Sequence, residues 1–225
     1  MALATSPPLT DPVDVAQLQH LGPGEVAVAV PRELLADWGA RDTIRQARMI
    51  GPDAFNRLFE TFQHTAWRLE TRHRYASDET TSTYAQFQAE GRVDWDLSTW
   101  YCTTIRQATA AGKTVGRVRL LDDPPTIGQR YLLCNAERNA ALREDIRTLS
   151  RTEAERLHLG DEDFRIFDSW LVARLVFTEA DELTGVELIT EPAQVVRYSR
   201  LWDAVWHHAA PQLGRVVKVL VTASR

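Results

Sequence analysis

The stretch GKTVGRVRLL, Gly112 to Leu121, decides the fold when it is read with the segment leading into it. That segment, STWYCTTIRQATAA (Ser98–Ala111), places Trp100, Cys102, Ile105, Ala108 and Ala111 close to a 3.6-residue period and predicts a helix. Gly112 stops it, because a residue without Cβ takes the left-handed C′ conformation without a clash. Val115, Val118 and Leu120, interleaved with Arg117 and Arg119, then predict a strand. Helix, glycine and strand are the unit of an open α/β domain.

Outward from this unit, Asp53–His64 carries Phe55, Leu58, Phe59 and Phe62 at helical spacing, and Trp67–Arg72 alternates as a strand. Tyr75–Glu79 reads as a polar turn and Ser82–Glu90 as a short helix stopped by Gly91. Downstream, Asp122-Asp123-Pro124-Pro125 ends the central strand. Arg130–Cys134 reads as a second short strand, and Asn135 as the cap of a helix reaching Leu149. Phe164–Phe177 is strongly β-prone and broken by a turn at Asp168-Ser169. A loop at Thr178–Thr184 and a strand at Gly185–Thr190 follow, and Pro192 opens a helix with Trp202 and Trp206 on one apolar face. Residues 1–50 read as an N-terminal extension: a disordered leader over 1–14, helices at Val15–Leu21, Pro31–Trp38 and Asp42–Met49, and a β-prone run at Glu25–Val30. Residues 51–225 form the α/β domain, with Arg215–Val221 as a last strand or docking tail.

The bulk numbers exclude some functions. A formal net charge of -5, with acids mixed among the arginines, argues against direct nucleic-acid binding. No apolar run approaches the length of a membrane span and no signal-peptide pattern is present, so a cytoplasmic protein is expected. Cys102 and Cys134 are expected as buried free thiols.

Four runs carry a resemblance: FETFQHTAWRLETRHRYASDE (Phe59–Glu79), GRVRLL (Gly116–Leu121), DEDFRIFD (Asp161–Asp168) and LWDAVWHHAAP (Leu201–Pro211). In their order the chain resembles an actinobacterial, Streptomyces-type family of unknown function, encoded beside small helix-turn-helix regulators. That resemblance implies a helix-turn-helix regulatory protein as partner. A weaker likeness is to a single phospholipase-D-like module, which implies an open mixed sheet flanked by helices. With Asp168 on the Asp of that module's H-x-K-x(4)-D motif, Asp161 falls on the His and Asp163 on the Lys. Carboxylates there supply neither the nucleophile nor the cation that a phosphodiester needs.

Charge on strands that ought to be central needs an explanation, because unpaired buried charge is costly. Arg68, Glu70, Arg117, Arg119 and Asp168 are the candidate ligand-binding residues, meeting where strand ends converge on a small anion. Glu70, Asp168 and His64 are the candidate catalytic groups. Their competing reading is mutual pairing or an exposed face. If they form a binding site, Arg119→Ala abolishes binding and leaves folding largely intact. Asp161, Asp163 and Asp168 could hold a hard cation, but the acidic run reads better as an exposed turn. His64, His73, His207 and His208 have no metal spacing, and neither a metal nor a cofactor is expected. The acids and arginines of Glu137–Arg156 read as a solvated helix surface. Two functions follow: a ligand- or partner-binding module, or an enzyme of specialised metabolism acting on a small anionic substrate.

Overall fold

The structure, a computed structural model, describes residues 48–212. The readings for residues 1–47 and for Arg215–Val221 lie outside the described residues. In chain order the elements are β1 (Arg48–Ile50), α1 (Pro52–Thr61), β2 (Thr65–Glu70), α2 (Ala76–Glu79), α3 (Ser82–Glu90) and α4 (Trp100–Ala110). Then come β3 (Thr114–Leu121), α5 (Ile127–Cys134), α6 (Ala136–Ala141), β4 (Asp145–Ser150) and α7 (Arg151–Arg156). The chain continues through β5 (Phe164–Phe167), β6 (Leu171–Phe177), β7 (Leu183–Ile189), α8 (Pro192–His208) and β8 (Ala210–Pro211).

These strands make one open mixed sheet of eight, ordered β1-β7-β6-β5-β2-β3-β4-β8 and flanked by helices. β2, β3 and β4 are parallel and the remaining pairings are antiparallel. The helix–glycine–strand unit folds as its residues dictate: Thr99 caps α4 through the Cys102 N–H, and Gly112 sits at φ 87°.

Strand alternation separates two faces. On one, Trp67, Leu69, Val118, Leu120, Phe164 and Ile166 pack against α8. Trp67 stacks on Trp202 at 5.2 Å, and Phe164 meets Tyr198 edge-on at 4.9 Å. On the other face the register aligns Arg68 with Arg117 and Arg165, and Glu70 with Arg119. This charged face lies under α1, α4 and α5, with Phe59 meeting Phe167 at 5.4 Å and Tyr101 at 5.7 Å.

Four readings are corrected. RYLLC belongs to helix α5, whose start carries a full capping box between Thr126 and Gln129. The helix after Asn135 stops at Ala141, and Ile146 and Leu149 belong to β4. Arg48 and Met49 lie in an edge strand paired with β7. Trp100 is 41% exposed and sits off the apolar face of α4. Cys102 is buried and Cys134 half-buried, both free.

Candidate functional site

The sheet brings Arg68, Glu70, Arg117 and Arg119 together on one face. Glu70 is the hub: Arg119 Nε donates to Oε2 at 2.7 Å, Arg117 Nη1 donates to Oε1 at 2.9 Å, and Arg68 Nε lies 3.3 Å from Oε1. Burial pushes the Glu70 carboxyl up, but the three guanidiniums outweigh it and hold the group well below the usual carboxylate range. Arg117 also donates to Glu144 through Nε (3.1 Å) and Nη2 (2.8 Å), and to the Tyr101 hydroxyl at 2.7 Å. Arg119 completes its fork on the Leu132 carbonyl (2.6 Å) and Gln212 Oε1 (2.8 Å).

Three further residues belong to this cluster and were not singled out as members from sequence. Glu144, just before β4, accepts from Arg117, Tyr101 and Asn139. Arg165 lies 3% exposed beside Arg68, over the Phe59 ring at 4.6 Å, and its Nε and Nη1 find no partner among the described residues. Burial and its cationic neighbours lower its pKa to about 10. Asp163 accepts from the Thr71 N–H (2.6 Å), the Thr71 hydroxyl (2.6 Å) and the Tyr75 hydroxyl (2.6 Å), with Arg68 at 3.6 Å. Four guanidiniums therefore face three carboxylates, and Arg119 has no exposed surface.

Asp168 and His64 are not part of it. Asp168 sits at the opposite end of β5, at φ 51° in the β5–β6 turn. Its carboxylate accepts the N–H groups of Gln63 (2.7 Å), His64 (2.7 Å) and Thr65 (2.9 Å). The His64 side chain is exposed at that same end. Antiparallel pairing of β2 with β5 puts Asp168 next to Thr65 and away from Glu70. The hard-cation reading fails with it, since Asp163 and Asp168 lie at opposite ends of one strand. Among the described residues no group of three or more His, Cys, Asp or Glu side chains could hold a metal ion.

Most of the cluster is buried, though the Arg68 side chain keeps 15% of its surface exposed. Clefts of about 360, 380 and 220 Å³ open along α8, lined by residues such as Arg197, Arg200, Leu201 and Glu162, and none of the three touches a cluster side chain.

A family model described as a domain of unknown function, DUF6879, matches residues 53–213. The chain belongs to the DUF6879 family. No curated protein matches it. Among solved structures, the DUF6879 chain is similar to Nuc, a phospholipase D family member from Salmonella typhimurium, at 12% identity and a TM-score of 0.45, covering 74% of this chain and 98% of that one. It is also similar to NucT from Helicobacter pylori, at 10% identity and a TM-score of 0.43, covering 74% and 97%.

Proposed function

We propose that this DUF6879 domain is a binding module of the cytoplasm whose charged cluster is architectural, and that it works with a regulatory protein. One observation carries the reading: the carboxylates at the ends of β2 and β5 are spent on internal partners. Glu70 is held by three arginines, Asp163 by Thr71 and Tyr75, and Asp168 by three backbone N–H groups. A general base needs a lone pair within reach of a substrate proton, and Glu70 and Asp163 are buried with their oxygens already accepting from these partners. The partner class, a helix-turn-helix protein of an actinobacterial host, is what the resemblance of the four sequence runs implies.

Co-expression with a helix-turn-helix protein encoded beside it tests this reading, with size-exclusion chromatography and light scattering as readouts. A stable complex and no cleavage of bis(p-nitrophenyl) phosphate are expected. Diester cleavage by the pure chain, lost on Asp168→Ala, would overturn it.

One observation favours the second reading, an enzyme of specialised metabolism acting on a small anion: the surplus guanidinium of Arg165 keeps two nitrogens unpartnered. Calorimetric titration with inorganic phosphate would then give heat with the wild type and none with Arg165→Met.

A further inference from the structure

The carboxyl ends of parallel strands are where an open α/β sheet presents ligand-binding groups. Here β2, β3 and β4 end side by side, and the residues just beyond them meet. His73 follows β2, Asp122 follows β3 and Arg151 follows β4. His73 Nδ1 lies 2.5 Å from Asp122 Oδ2, and Arg151 Nε donates to Asp122 Oδ1 at 2.8 Å. Gln129 Nε2 donates to Oδ2 at 2.9 Å, and Arg151 Nη2 donates to the Thr71 carbonyl at 2.6 Å.

The root of the histidine is fixed as well as its ring. Thr126 Oγ1 donates to the His73 carbonyl at 2.5 Å. Gly128, in the first turn of α5, packs so close that a Cβ there would lie 2.8 Å from that carbonyl oxygen. Burial pushes the Asp122 carboxyl up, but the hydrogen bonds from His73 and Arg151 outweigh it and hold the group below its ordinary value. Asp122 is therefore an anion that accepts, and the proton between it and His73 belongs to Nδ1. In the neutral ring the lone pair is then on Nε2. No hydrogen bond or ion pair among the described residues engages Nε2, and the side chain is 59% exposed.

We propose that His73 is a nucleophilic imidazole, oriented by Asp122, that accepts acyl groups from activated esters at the carboxyl end of the parallel strands. In the first step the Nε2 lone pair attacks the acyl carbon. The ester C–O bond breaks, and its electron pair leaves on the departing oxygen. Asp122 stabilises the Nδ1–H of the acyl-imidazolium. Water then adds to the acyl carbon and gives up one proton to the departed oxygen anion, the imidazole leaves with its electron pair, and a carboxylic acid, an alcohol or phenol and the free ring result. Arg151 and Gln129 are positioning residues that keep the Asp122 carboxylate in place. The site is separate from the buried arginine cluster, and the proposal does not rest on the binding-module reading.

The probe is p-nitrophenyl acetate, with release of p-nitrophenolate followed for the full chain. His73→Ala is expected to lose most of the rate, while His207→Ala, which removes another exposed imidazole, leaves it unchanged. Equal loss in the two variants, or none in either, overturns the proposal. Because His73→Ala could disturb the loop it anchors, long-range proton–nitrogen NMR of the wild type supplies a second measure. Protonated Nδ1 with bare Nε2 is expected in the neutral ring. The opposite tautomer overturns the proposal whatever the variants do.

Discussion

Glu70 shows what a buried carboxylate demands of its surroundings. Its ordinary pKa of about 4.3 is the unfolded value, and the folded value lies well below it. A depressed acid contributes stability that is fully present above the unfolded pKa and is lost as pH falls toward the folded one. The domain should therefore lose stability progressively below about pH 4.3, and Glu70→Gln should flatten that slope in urea melts taken across the acid range. The same reasoning reverses for Asp78, whose pKa is raised from 3.8 to about 6, by burial first and the Glu70 charge second. Between these values the unfolded chain ionises while the folded one resists, so Asp78 destabilises the fold above pH 6. Asp78→Asn should raise the melting temperature at pH 7 and change nothing near pH 3.5. Arg119 reverses the sequence-based expectation that its truncation spares the fold. Leaving Glu70 short of a partner in the core should cost about 3–5 kcal/mol for Arg119→Ala, measured by equilibrium unfolding.

At the level of elements, α8 carries much of one core face. Trp202 is 5% exposed between Trp67, Trp206 and the sheet, so Trp202→Ala should cost about 3–5 kcal/mol. Fluorescence-monitored denaturation checks this. The helix was legible because its apolar face repeats over many turns after Pro192, and β3 because Arg117 and Arg119 alternate with valine and leucine. The short RYLLC run misled because five residues of apolar character fit a strand or a helix equally. The better signal was the Thr126-x-x-Gln129 capping box just before it. DIRTLS was hidden as β4 by the surrounding mixture of arginines and acids, and Glu144 was hidden with it. Within the candidate site, pairing on one strand face revealed four residues. Asp163 and Arg165 came in through an antiparallel neighbour whose register no local pattern specifies. His73 and Asp122 lie 49 residues apart. Only the parallel order of β2 and β3 makes them neighbours, although each stands just past a strand end that was readable.

For the whole molecule, the division of labour between the two sheet faces matters most. The face under α8 is apolar and rich in aromatic rings, while the face under α1, α4 and α5 is held by charge whose geometry tolerates little change. A core of that kind favours a single arrangement, and the price is acid sensitivity.

The carboxylate of Asp168 has a consequence for how the chain reaches this arrangement. It ties the tip of the β5–β6 hairpin to the loop before β2, across a sequence separation of 103 to 105 residues. A contact of such span closes a very large loop, so it forms after local helices and hairpins are in place. It then acts as a late latch: its loss should show in the unfolding arm of a chevron plot while the refolding arm stays nearly level. Asp168→Ala is the variant to measure, and slower refolding with unchanged unfolding would mean that the latch closes early.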